Sequence, residues 1–457
     1  MLTWALVSFC ISIVFVLVTI IKLKVHPFLS LLLGAVIMGL LCGLPLPTIS
    51  GELANGFGGT LTGIGIIIAL GVILGQLLHE SGCAEEIAAM VLRMTGQKNA
   101  ALAMNLTGYI VSIPVFFDAA FVILLNLVKN ISRKGKIPFI TLVTSLAVGL
   151  ITTHAMVIPT PGPLAVAANM EASIAVFLIY SLIVSLPASL IGGVVYGKWL
   201  GNKPEYMNDF ANSFDDEPAV EVPTGNRPSG ALGVSLILLP IIMILLGTVM
   251  GQFLEKDTLP FQIFDFIGNK NIALLVGTLV AYLSLKKYLT RSFNDIIADA
   301  AASTGSILII TGAGGSFGKI INATAIGSGL KDVLGGLAGT ASVGVLLVVV
   351  AFLISQVLRC AQGSTTVALV TTSAIMGPIV SGIDGASSVL VGLAICAGGI
   401  GLSLPNDSGF WVVNRFSKFS VGDTFRAWTI AGTISGVTSL VILIVLSLFS
   451  GVLPGLS

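Results

Sequence analysis

Charge is what this chain has least of. Of its 457 residues, 9% are Asp, Glu, Lys or Arg and 55% are hydrophobic, whereas water-soluble domains carry about 25% charged residues. Such a chain cannot cover a water-facing surface, and apolar runs of about 20 residues recur along nearly its whole length. It is expected to be an all-α polytopic membrane protein whose main partner is the lipid bilayer. A net charge of +1 with no basic patch excludes a nucleic-acid binder. Histidine is scarce as well: His26, His79 and His154 lie far apart, with no ligand spacing to any cysteine. That argues against a membrane enzyme, which needs a nucleophile–base pair or a metal cluster; no metal and no cofactor are expected. The five cysteines (Cys10, Cys42, Cys83, Cys360, Cys396) form no CxxC and are expected to be reduced residues facing lipid or core.

Fifty-three glycines are present, which suits close helix packing and kinked helices in lipid. Residues 2–21 lack a basic flank and a small-residue cleavage site, so they are expected to be a first transmembrane helix rather than a signal peptide. Spans follow near 27–44 and 60–78, then an amphipathic stretch at 83–95. Two apolar arms at 98–131 flank Pro114 to Asp118 and predict a re-entrant hairpin. A broken helix over 137–170 and a span at 173–198 complete a first unit, 1–198. Residues 199–229, with Asp215-Asp216-Glu217-Pro218, form the one polar linker. The second unit, 230–457, repeats the plan: spans near 230–252, 271–286 and 295–322, a hairpin over 340–382, a broken helix over 388–414 and a last span at 426–449. Weak internal similarity accompanies the repeat, with Gly75-Gln76-Leu77-Leu78 and Ser81-Gly82 matching Gly318-Lys319-Ile320-Ile321 and Ser328-Gly329.

Five crossings in the first unit would set the second upside down, giving two inverted-topology repeats. With Lys22 and Lys24 placed in the cytoplasm, the basic residues gather on that face, the linker included. Of all 22, only Lys256, Lys270, Lys319, Lys331 and the hairpin-tip Arg359 fall elsewhere. Counting each hairpin as a single span would scatter them over both faces. Both termini are then expected outside.

Two pairs of interruptions carry the chemistry. Ile113 to Asp118 and His154 to Pro163 break the first unit; Arg359 to Thr366 and Leu404 to Gly409 break the second. Non-helical backbone and ionisable groups are tolerated at membrane depth only where they line a cavity or pack against protein. Paired breaks in two halves point to the binding site of a secondary transporter. Asp118 and Asp407 are the carboxylates placed at depth, where a charge costs roughly 2.5–3.5 kcal/mol. Each is a candidate proton carrier or ion ligand, or else a helix cap or partner of Arg359. His154 either relays protons or simply bonds a freed carbonyl. Arg359 either grips an anionic substrate through its guanidinium fork or forms a structural salt bridge. Ser364-Thr365-Thr366 and Asn406-Asp407-Ser408-Gly409 sit where new half-helices begin, which favours a carboxylate, although capping alone uses the same residues. Gly312-Ala313-Gly314-Gly315-Ser316-Phe317-Gly318 nearly matches a dinucleotide pattern but lies within an apolar helix, so close packing is the better account.

At these residues the chain closely resembles the gluconate permease family of the larger ion transporter superfamily. The likeness rests on Val115-Phe116-Phe117-Asp118, His154 with Pro161-Gly162-Pro163, Thr311 to Gly315, Leu358-Arg359 with Gly363-Ser364, and Asn406 to Trp411. It implies proton-coupled symport of gluconate, a related sugar acid or another small hydroxy-carboxylate across the bacterial inner membrane. D-serine or glycerate as substrate and sodium coupling stay open as alternatives. A homodimer with a scaffold and a mobile transport domain, working as an elevator, is implied in the same way. The candidate substrate-contacting residues are Asp118, Thr160, Gly162, Arg359, Gly363, Ser364, Thr365, Asn406, Asp407 and Ser408, with Asp118, His154 and Asp407 as candidates for proton coupling. Thr160 stands where the family often has a second histidine, and Asp118 where relatives often have Glu.

Overall fold

Apolar chain segments in lipid must satisfy their own backbone N–H and C=O groups, and the helix does so within one segment. The computed structural model follows this rule. It describes residues 2–211, 227–324 and 341–456 apart from Asp257, Gly382, Asp384, Gly385 and Asn406, and no strand occurs among them. Residues 212–226 of the linker, Ser328, Gly329, Lys331 and the candidate Asn406 lie outside the described residues.

The first half runs α1 (Leu2–Ile21), α2 (Pro27–Leu41), α3 (Leu46–Glu80), α4 (Cys83–Thr95), α5 (Ala100–Val111), α6 (Phe117–Gly135), α7 (Phe139–Met156), α8 (Pro161–Asn169) and α9 (Ile174–Gly201). The second runs α10 (Gly230–Phe253), α11 (Leu259–Gly268), α12 (Lys270–Leu285), α13 (Phe293–Asn322), α14 (Ala341–Gln362), α15 (Thr365–Val380), α16 (Ser388–Gly398), α17 (Ser408–Phe416) and α18 (Val421–Leu448). Among the described residues six helices are long and apolar enough to cross a membrane, or eight if each of two bent pairs counts as one span.

Two elements differ from expectation. α3 starts at Leu46, well before the apolar run at 60, and bends by 43° between its segments Leu46–Gly63 and Gly65–Glu80. Its glycine-rich first part is poor in apolar residues yet packs closely on α13: a Cβ on Gly56 would lie 2.5 Å from the Gly315 carbonyl, and the Ser316 hydroxyl donates to Leu53 O at 2.7 Å. The glycine run 312–318 thus serves helix packing, since a Cβ on Gly312 would also meet the Phe57 ring. α11 is an additional short helix, capped by Thr258 with Pro260 in its first turn, and set at 65° to α12.

The hairpin arms and broken helices pack alike in both halves. α5 lies on α7 and α14 lies on α16. Glycines permit both contacts: a Cβ on Gly149 would meet Asn105 O at 2.3 Å, and one on Gly398 would meet Phe352 O at 2.4 Å. Buried Asn105 ties α5 to its neighbours, donating to Ser145 O (2.9 Å) and Ser189 O (3.2 Å) and accepting from the Ser189 hydroxyl. The halves then cross over: α6 packs on α17, and α15 packs on α8. Each hairpin therefore meets the far segment of the other half's broken helix. Burial separates the layers. The most apolar stretch of Phe139–Asn169 is 94% buried against 28% for Gly230–Gly251, so the broken helix is central and α10 faces the surroundings.

Candidate functional site

Four backbone breaks converge at the centre. The first hairpin turns at Ser112 to Phe116, where Pro114 ends α5 and Phe116 precedes the new helix. α7 stops at Met156 before the cis Ile158–Pro159 bond, and Pro161 opens α8. In the second half Gly363 takes φ +67°, a left-handed conformation open to glycine at little cost, and Ser364 then caps α15 by accepting from Val367 N. Asp407 caps α17 through Gly409 N.

Between these breaks lies a cavity of about 180 Å³, lined by Phe116, Phe117, Asp118, Ile151, His154, Arg359, Gly363 to Thr366, Asp407 to Gly409 and Trp428. Arg359 is 1% exposed. Its Nε donates to Gly399 O at 3.1 Å and its Nη2 to Asp407 Oδ2 at 2.5 Å, while Nη1 has no hydrogen-bond partner among the described residues. An unpaired buried donor of this kind is costly. Asp407, 5% exposed, is fully engaged: Oδ1 accepts from Gly409 N at 3.0 Å, and Oδ2 accepts from Arg359 and from the Ser403 hydroxyl. Its cap and salt-bridge roles are therefore both present. Asp118 is in a different setting. It sits in the first turn of α6, exposed, and lines the cavity together with Ser408. His154 is partly exposed, its ring 5.9 Å from that of Phe116, and its Nδ1 has no hydrogen-bond partner among the described residues. Thr365 donates its hydroxyl to Gly399 O, the carbonyl that Arg359 also uses.

The cavity thus gathers Asp118, His154, Arg359, Gly363, Ser364, Thr365, Asp407 and Ser408. It does not include Thr160 or Gly162. Thr160 is buried with its hydroxyl returned to Val157 O, and it lines a small void on the α3 side of His154. Gly162 faces α15, where a Cβ would lie 3.1 Å from Leu369 Cδ2. Both are held away because α8 packs across α15 rather than opening into the cavity. Three contributors escaped the sequence reading: Gly399 through its carbonyl, Ser403 and Trp428. Among the described residues no three His, Cys, Asp or Glu side chains come together as a metal site.

The match to known proteins covers the same elements. The model of the GntP family permeases matches residues 4–449. The chain belongs to the GntP permease family. It is 34% identical over 450 residues to a gluconate permease of Pseudomonas aeruginosa, covering 97% of this chain and 98% of that one. It is 33% identical to the inner membrane permease YgbN of Escherichia coli, covering 94% and 96%. A low-affinity gluconate transporter of the same organism is 29% identical, covering 94% and 95%. Among solved structures, the YdaH transporter of Alcanivorax borkumensis, described as having an unusual topology, superposes with a TM-score of 0.64 at 15% identity, over 92% of this chain and 98% of that one. That likeness concerns the fold. This permease is accordingly a multi-pass inner-membrane protein.

Proposed function

We propose that this permease takes up gluconate, or a sugar acid close to it, together with protons. The observation that carries the reading is Arg359, a buried guanidinium that lines the central cavity and whose Nη1 has no hydrogen-bond partner among the described residues. The names of the relatives agree with it, being gluconate permeases and transporters. The substrate carboxylate sits on Nη1 and on the N-terminal turn of α15, where free N–H groups and the helix dipole favour an anion. Substrate hydroxyls meet Thr366, Ser408 and His154. The cavity of about 180 Å³ suits one small hydroxy acid better than a larger ligand, whose sites span roughly 300–1,000 Å³.

Asp118 is the group we assign to the proton. Asp407 already accepts three hydrogen bonds, one of them charged, and is committed to Arg359. Asp118 faces the cavity, and a neutral carboxyl there lets the carrier cross loaded with less net charge. The two halves, 1–198 and 230–457, act as inverted repeats joined by a cytoplasmic linker at 199–229. Hairpins and broken helices form a mobile transport domain that moves against a scaffold in a dimer. The cross-packing of α6 on α17 and α15 on α8 supports treating those elements as one moving body.

Uptake of labelled gluconate into Na⁺-free proteoliposomes with an alkaline interior tests the reading. Accumulation that a protonophore abolishes is expected, with unlabelled glycerate, other sugar acids and D-serine as competitors. Accumulation that needs Na⁺ and ignores the pH gradient would refute proton coupling.

A further inference from the structure

We propose that Trp428 and Ser403 are positioning residues of the site. The indole N–H of Trp428 fixes the Ser403 hydroxyl, which holds Asp407 on Arg359 and so fixes the orientation of the guanidinium that lines the cavity. This inference rests on reading the cavity as the place where the anion binds.

The direction of each hydrogen bond follows from what the groups can do. An indole nitrogen only donates, and a hydroxyl has a single proton to give. Trp428 Nε1 lies 2.6 Å from Ser403 Oγ, so Ser403 accepts there and its own proton goes to Asp407 Oδ2. The loop between α16 and α17 is fastened a second time at the same residue, because the Thr429 hydroxyl donates to Ser403 O at 2.5 Å. Asp407 then takes Arg359 Nη2 on that same oxygen, while Gly399 O takes Nε. Two of the three guanidinium nitrogens are thereby pinned in fixed directions, and the planar group leaves Nη1 one orientation. Chains of this kind strengthen one another in a low-dielectric interior.

The ring of Trp428 has a separate task. It is 2% exposed and lies 4.5 Å from the Phe117 ring, centroid to centroid. Phe117 precedes Asp118 at the tip of the first hairpin. The face between the two rings is closed by Gly409, where a Cβ would lie 3.1 Å from Trp428 and 3.4 Å from Phe117. One residue of α18 therefore joins the first hairpin tip through its ring and the second break through its N–H. The competing account is an ordinary buried tryptophan whose N–H has simply found an acceptor. That account predicts lower stability on substitution, but no specific loss of affinity.

The two tasks can be separated by Trp428→Phe, which keeps a ring on Phe117 and removes the donor. Steady-state uptake would be measured for Trp428→Phe, Ser403→Ala, their double variant and Ser403→Thr. Loss of the hydrogen bond to the Asp407 carboxylate implies that Ser403→Ala raises KM roughly tenfold or more, and loss of the neutral indole bond that Trp428→Phe raises it roughly two- to tenfold, with Vmax within about twofold of the parent. The double variant is expected to be no worse than Ser403→Ala alone, because the indole acts only through the hydroxyl. Ser403→Thr, which keeps the hydroxyl, is expected to restore KM. An unchanged KM in Ser403→Ala, or losses in the two single variants that add in the double, would overturn the proposal. Should Trp428→Phe fail to fold, the contrast between Ser403→Ala and Ser403→Thr decides alone. Parent protein that takes up none of the acids refutes the functional reading and this inference together; parent uptake with normal Ser403→Ala kinetics refutes this inference only.

Discussion

Replacing Arg359 by Gln removes one member of a buried ion pair whose side chains are 1% and 7% exposed. Truncating one partner of such a pair typically costs about 3–5 kcal/mol, mostly because the other charge is left behind. Asp407 would still accept from Gly409 N and the Ser403 hydroxyl, which puts the expected loss at the lower end, about 3 kcal/mol. The same substitution removes the free Nη1, so KM for the anion should rise roughly 10- to 150-fold, from about 1.5–3 kcal/mol for a charged hydrogen bond. Adding Asp407→Asn separates the two effects. With both charges gone the buried penalty vanishes, and stability should return to within about 1 kcal/mol of the parent. Affinity should stay low because no cation remains. Unfolding in detergent micelles and proteoliposome uptake read the two quantities independently. A single Arg359→Gln variant as stable as the parent would show that the pair does not hold the break to the hairpin. A double variant that regains affinity would show that the guanidinium does not bind the substrate.

Asp118→Asn is expected to abolish uphill accumulation while exchange of labelled for unlabelled substrate continues; unaltered proton-driven uptake would remove Asp118 as the carrier. Gly75→Ala would place a Cβ 1.8 Å from the Pro114 carbonyl, a backbone atom with little room to yield. Overpacking of that kind costs about 1–3 kcal/mol, so a lower yield of monodisperse protein and slower uptake are expected, and normal values of both would contradict the close approach of α3 to the hairpin tip. Gly363→Ala forces a side chain into left-handed backbone at φ +67°, a strain of about 1–2 kcal/mol. Its effect should fall on KM, measured by uptake, since the residue lies at the cavity wall.

Much of the site was legible because proline and polar groups stand out in an apolar chain. Pro114 with Asp118, the Pro159 to Pro163 run, Gly363-Ser364 and Asp407-Ser408 all mark places where a helix stops or restarts, and the structure has a break or cap at each. Arg359 and Asp407 were legible as possible partners, though not how the guanidinium divides its bonds. Ser403 and Trp428 were hidden because one hydroxyl and one indole in apolar surroundings look like ordinary packing; only the folded loop brings them together. The first part of α3 was hidden for the opposite reason. Its glycines weaken the hydropathy signal, and their value appears only against α13. Thr160 and Gly162 drew attention as motif residues, yet the turn at α8 directs them toward α3 and α15 instead.

The long helices α9 and α18 each contain one π turn, over Leu190–Val195 and Phe425–Ile430. A π turn holds one residue more than an α turn needs. Deleting that residue would restore a regular α turn and leave the flanking turns close to their present phase, whereas a deletion elsewhere in either helix would rotate everything beyond it by about 100° and shift it by about 1.5 Å. In α18 both ends are fixed and cannot follow. Thr424, before the turn, is held by Asn414, and Ser435, beyond it, bonds Thr152. In α9 the turn carries Gly192, where a Cβ would stand 2.7 Å from Ala431 O on α18. The two rods are thus keyed to each other at the places where each is wound loosely. The extra residue at 190–195 and at 425–430 is therefore the one whose removal keeps the flanking contacts in register, and a single deletion there should disable the carrier less completely than a deletion elsewhere in the same helix.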